Sequence, residues 1–101
     1  MDRRLKLHKM FEDILGSKAV YFQPPKNLRM TYPCIRYKIS GIDTHRADDT
    51  LHINTVKYQV TYIDRNPDNS VIFRLIKIPM ISLDRAYTSD GLHHYVYDLY
   101  F

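Results

Sequence analysis

The chain has 101 residues, 45% of them hydrophobic and 26% charged; this balance supports one packed core, leaves no volume for a second, and excludes an intrinsically disordered tail. Its formal charge of +4 comes from 15 basic and 11 acidic side chains scattered along the chain, so nucleic-acid contact is permitted without being indicated. The single cysteine, Cys34, excludes an internal disulfide and is too few for a cysteine-rich zinc site, which makes a reduced compartment the expectation.

Positions 1–15 carry charges at Asp2, Arg3, Arg4, Lys6, Lys9, Glu12 and Asp13 and contain neither a signal core nor a membrane-length apolar run. A soluble, unexported chain is expected, with no membrane partner. Within this segment Leu7, Met10, Phe11, Ile14 and Leu15 recur at helical spacing, Asp2 can cap the start, and Gly16 tolerates the left-handed conformation found just past a helix end. Val20-Tyr21-Phe22 reads as a short strand stopped by Pro24-Pro25. From Pro33 onward Ile35, Tyr37 and Ile39 alternate with Cys34, Arg36 and Lys38, the pattern of a half-buried strand.

Residues 40–51 break every apolar period and concentrate Gly, Asp and Thr, so they read as an exposed loop or long hairpin connection. The strongest strand signal follows, with Val56, Tyr58, Val60 and Tyr62 alternating with Lys57, Gln59 and Thr61, before a turn cluster at 64–69. Asn69 or Ser70 can cap a short helix through Val71, Ile72, Leu75 and Ile76, closed by Pro79. A strand competes here because Val-Ile-Phe is β-prone; length and flanking caps select the helix. Residues 81–87 and 94–101 read as strands joined by a turn around Ser89-Asp90-Gly91.

The resulting class is α+β, a single domain over 1–101 in the order α-β-β-β-α-β-β: an antiparallel sheet of about five strands with two helices packed on one face. The sheet's other face is expected to stay open for solvent or for another copy of the chain. Most of the nine tyrosines and four phenylalanines fall in the strand segments. Tyrosine pairs a large apolar body with a hydroxyl that must find a partner, which suits half-buried and interfacial positions.

Candidate chemistry is sparse. Asp43, His45, Asp48, Asp49 and His52 crowd one segment, but their spacing matches no metal motif. His93 and His94, if in a strand, point to opposite faces and cannot grip one ion; one ring is expected buried or interfacial and the other solvated. Cys34 follows Pro33 at a strand start without a nucleophile signature, and a packed side chain is the expected role. The glycines Gly16, Gly41 and Gly91 never cluster, so no phosphate cradle of successive N–H groups is indicated. No catalytic residue, metal or cofactor is expected, and the chain does not read as an enzyme. Basic and aromatic residues interleave at Arg36-Tyr37-Lys38, Lys57-Tyr58 and Arg85-Ala86-Tyr87. This gives the alternative reading of a small nucleic-acid-binding regulatory domain, although strand geometry sends neighbouring side chains to opposite faces.

Several strings then occur together and in order: VYFQPP from Val20, MTYPCIRY from Met30, IDTHRAD from Ile42, KYQVTYIDRNPD from Lys57 and LDRAYTSDGLHH from Leu83. Jointly they make the chain resemble the tail-terminator or tail-completion proteins of long-tailed phages and prophages of Gram-positive bacteria. The resemblance implies a virion protein, assembled in the cytoplasm of the bacterial host. Such a protein forms a ring, typically hexameric, on the end of the tail tube, stops its polymerisation and meets the head connector or stopper protein. DNA would pass through the lumen without sequence recognition. Ring closure needs two different patches per subunit. The residues expected at subunit or tube contacts are Asp43, Arg46, Asp48 and Asp49 in the polar segment and Asp84, Arg85, Tyr87, Asp90, His93 and His94 in the last hairpin.

Overall fold

Leu7 and Phe11, one helical turn apart, are both fully buried, and Met10, Ile14 and Leu15 pack beside them. This apolar stripe is what makes residues 2–15 a helix with one side committed to the sheet. The computed structural model describes residues 2–47 and 51–101, with the backbone alone at residues 2, 44–47 and 51–54. Helix α1 spans Asp2–Leu15. Its end is set by Gly16, at φ 77°, whose N–H donates to the Glu12 carbonyl at 2.8 Å. The capping role expected of the Asp2 side chain lies outside the described groups.

The strands are β1 (Val20–Phe22), β2 (Cys34–Ala47), β3 (Leu51–Asp64), β4 (Ile81–Ser89) and β5 (Leu92–Tyr100), with α2 (Val71–Ile76) between β3 and β4. The element order is the one expected. The sheet order is β1-β2-β3-β5-β4, so the last strand lies inside the sheet and β4 forms one edge. The expected purely antiparallel sheet is corrected at the other edge, where β1 runs parallel to β2, Val20 opposite Ile35 and Phe22 opposite Tyr37. A parallel neighbour needs a crossover long enough to bring the chain back. Residues 23–33, held off regular structure by prolines, supply it, and Thr31 N–H is anchored on Tyr21 Oη at 3.2 Å.

Of the polar segment 40–51, read as an exposed loop or long hairpin connection, residues 40–47 and 51 are strand. Strand β2 continues to Ala47 and β3 starts at Leu51, paired from Gly41 with Lys57 to Ala47 with Leu51. Hydrophobic alternation is lost because this part of the ribbon has no helix behind it, and ladder hydrogen bonds alone carry the β geometry. Strand β5 pairs with β3 only from Lys57 to Asp64, so the rest of the β2–β3 ribbon projects beyond the sheet. The molecule accordingly measures 51 × 26 × 23 Å.

Both helices cover the same sheet face, as expected. Leu7 and Phe11 of α1 and Val71, Ile72 and Leu75 of α2 meet Ile35, Tyr37, Tyr58, Val60, Tyr62, Tyr97 and Leu99 in one core. Asn69 Oδ1 accepts from Val71 N–H at 2.9 Å, which makes Asn69 rather than Ser70 the side-chain cap of α2. The hydroxyls of Tyr37, Tyr62 and Tyr97 find partners in this core. Tyr37 Oη lies 2.7 Å from His8 Nδ1 and accepts from Arg4 at 3.2 Å, while Tyr97 Oη donates to the Ile72 carbonyl at 3.2 Å. Burial pushes the Tyr97 hydroxyl up to about 12, so it remains a donor throughout the physiological range.

Candidate functional site

The register of the strands defines rows across the face away from the helices. Cys34, Ile63, His94 and Tyr87 form the first, Arg36, Thr61, Val96 and Arg85 the second, and Lys38, Gln59, Asp98 and Ser82 the third. The expectation that this whole face is open is corrected at the first two rows. Cys34, Ile63 and Val96 are all 2% exposed or less, and Thr61 is buried. The crossover 23–33 lies on this side, as the Thr31 bond to Tyr21 requires, because Tyr21 stands opposite Arg36. The remainder, with Arg36, Lys38, Gln59, Asp98 and Arg85, stays partly or fully exposed.

Cys34 is the packed side chain expected. Burial pushes its thiol up to about 11, outweighing the nearby Arg36 guanidinium, which acts in the opposite direction. A thiol-specific disulfide reagent is therefore expected to react with the native protein on the order of a hundredfold more slowly than with the urea-unfolded chain at neutral pH. Equal rates would mean that the first row is not closed.

The residues expected at subunit contacts fall into two groups. Asp43 is exposed on β2 opposite Thr55, and the Arg46 backbone pairs with His52, both on the projecting ribbon. Asp48 and Asp49 lie outside the described residues. Asp84, Arg85, Tyr87, Asp90, His93 and His94 are gathered on β4, the β4–β5 turn and the start of β5. The turn sits beside Asp64, which pairs with His93, while the ribbon leaves the sheet at Lys57. The two groups are thus at opposite ends of β3.

Local geometry explains the second group. Asp90 and Gly91 have φ of 54° and 75°, the two positive values of a tight hairpin turn that matches strand twist. A bulge between Leu83 and Arg85 sets Asp84 out of register, and its carboxylate lies 3.5 Å from the Arg85 guanidinium. Both partners are largely exposed, so this pair contributes little to stability. Tyr87 stacks on His94 with ring centres 4.6 Å apart and planes 9° from parallel. His93 Nδ1 lies 3.3 Å from Thr88 Oγ1. The histidines point to opposite faces, as expected, and both are half-buried, so neither is the solvated ring expected beside a buried or interfacial one.

Sequence reasoning missed an apolar surface beside this hairpin. Phe73, Ile76, Met80 and Leu83 are 67%, 47%, 70% and 47% exposed around the passage from α2 into β4. Its signal was available: a helix of six residues whose buried set is Val71, Ile72 and Leu75 has its remaining apolar residues facing out. Among the described residues no group of three or more His, Cys, Asp or Glu side chains is arranged to hold a metal ion. Among the same residues no helix is long and apolar enough to cross a membrane. Compared with known proteins, the chain matches no family model and no curated protein.

Proposed function

We propose that the chain is a structural virion protein that caps the end of a phage tail tube, ends its polymerisation and meets the head connector, as a ring of identical subunits. The observation that carries this reading is the state of β4. It is a nine-residue edge strand, exposed along nearly its whole length, that carries exposed Leu83 and is preceded by exposed Phe73, Ile76 and Met80. Unpaired edges of this length invite another chain, and proteins that must stay monomeric blunt them. The projecting β2–β3 ribbon offers a second, different surface at the far end of β3. A ring needs two unlike patches that meet between neighbours.

The test uses the edge itself. Ser89 and Leu92 flank the turn as a hydrogen-bonded pair, so alternation leaves the N–H groups of Ala86 and Thr88 pointing away from β5. Ala86→Pro removes one outward donor without touching the β4–β5 ladder, and Leu83→Glu places a charge on the apolar border. Electron microscopy and sedimentation of the protein with its tail tubes are expected to give rings at tube ends for the wild type. Both variants are expected to keep the native circular dichroism spectrum, lose the rings and leave tubes of uncontrolled length. Rings and tube lengths unchanged in both variants would remove β4 from the assembly surface. Salt-sensitive binding to DNA by a protein that never forms rings would instead favour a nucleic-acid-binding domain.

A further inference from the structure

The open sheet face carries a feature that the assembly reading does not use. Beside β1 lies a groove of about 450 Å³, with Gln23 and Pro24 on one wall and Arg36, Lys38, Gln59 and Thr61 among its lining. Such a volume lies within the range of small-molecule sites. The charged side chains lining it, Arg36 and Lys38, are both cations, and among the described residues neither forms an ion pair. Asp98 stands in the same row as Lys38 but beyond Gln59, and it does not line the groove. Arg36 is half-buried, a position where a guanidinium without a counter-charge forgoes part of its hydration.

The wall is built rather than incidental. Gln23 has φ 46°, in the left-handed region that a residue with a side chain seldom adopts. It is held there by bonds to β2 on both sides: its N–H donates to the Tyr37 carbonyl at 2.9 Å, and its Oε1 accepts from Ile39 N–H at 3.2 Å. With the carbonyl oxygen committed, the side-chain NH2 is the group left to offer. Gln23, Gln59 and Thr61 thus add neutral donors around the cations.

We propose that this groove binds a small phosphomonoester, its phosphate held between Arg36 and Lys38. Side chains two apart on a strand start about 7 Å from one another and are long enough to converge on one group. A phosphomonoester carries a charge of about −1.5 to −2 at neutral pH, which matches this pair of cations, whereas a single carboxylate or phosphodiester leaves one unneutralised. The arginine fork takes two oxygens, the lysine acts as a point charge, and the amide and hydroxyl donors fill remaining lone pairs. The volume beside Pro24 is left for the esterified group.

The inference stands independently of the ring proposal and is tested on the isolated full chain by amide NMR titration at constant ionic strength. The probes are inorganic phosphate, glycerol 3-phosphate, glutarate and a single-stranded oligonucleotide without terminal phosphate. Glycerol 3-phosphate is expected to give saturable shifts centred on Gln23, Arg36, Lys38 and Gln59. Affinity is expected to fall about tenfold or more in R36A/K38A and to stay unchanged in K77A, which alters an exposed lysine just past α2. Should R36A/K38A lose its dispersed spectrum, R36Q/K38Q keeps the aliphatic stems and takes its place. Absence of saturation, equal affinity in the charge-removed variant, or glutarate or oligonucleotide binding as tightly would overturn the proposal.

Discussion

Replacing Tyr37 with alanine is expected to lower the stability of the fold by about 3–5 kcal/mol, the cost of a large aromatic truncation in a close-packed core. Tyr37 is 1% exposed and stands where α1, β1, β2 and β3 meet, with Phe11, Phe22 and Tyr58 rings centred 5.2, 5.0 and 5.9 Å away. Its hydroxyl adds contacts to His8 and Arg4 of α1, and Arg4 in turn lies 4.4 Å over the Phe22 ring. Truncation would empty the junction and detach one end of the helix at once. Since a domain of this size has a total stability of about 5–15 kcal/mol, a drop in Tm of more than about 12 °C is expected by calorimetry. Tyr37→Phe keeps the packing and loses only the polar contacts, so it should cost about 1 kcal/mol. Equal effects of the two variants would mean that the hydroxyl, not the ring, holds α1 in place.

The second large effect is expected at Asp64, a buried carboxylate, 5% exposed, at the end of β3. Burial alone would raise its pKa. Hydrogen bonds from Tyr62 Oη, the Asn66 N–H, the Asn69 side chain and the Arg65 backbone outweigh that and hold it below the usual carboxylate range. Asp64→Ala leaves those donors facing a gap and should cost about 2–4 kcal/mol. The pH dependence follows from the sign of the shift. A folded-state pKa lower than the unfolded value of about 3.9 means the contribution is fully present above that pH and is lost as pH falls through the folded value. Urea midpoints of the wild type should therefore decline below about pH 4 more steeply than those of Asp64→Asn, which has nothing to protonate there. Parallel declines would show that Asp64 binds protons equally in both states.

Asp64 also marks where sequence reasoning stopped. In the string Asp64-Arg65-Asn66-Pro67-Asp68-Asn69 every Asp and Asn is a good turn former, and nothing in composition distinguishes the one whose buried carboxylate accepts from Tyr62. Periodicity served well where a helix or strand has one apolar side: α1, the alternation of Cys34 to Ile39, and Val56 to Tyr62 all face as read. It failed on the ribbon beyond Lys57, since a two-stranded segment without a core behind it carries no apolar period to detect. Nor could local pattern choose the direction of β1, which depends on the path of residues 23–33. The cations of the groove were visible as Arg36 and Lys38 on one strand face; their wall was not, because Gln23 reaches them only through the parallel pairing of β1 with β2.

The sheet order also constrains how this protein is made. Among the described residues strand β4 has β5 as its sole ladder partner, and β5 separates it from β3. A nascent chain that has emerged only as far as β4 therefore leaves one edge of β3 unpaired and β4 without a strand to pair with. Completion of the native sheet waits for β5 to emerge, and until then both unsatisfied edges are open to chaperones or to premature association with neighbouring chains.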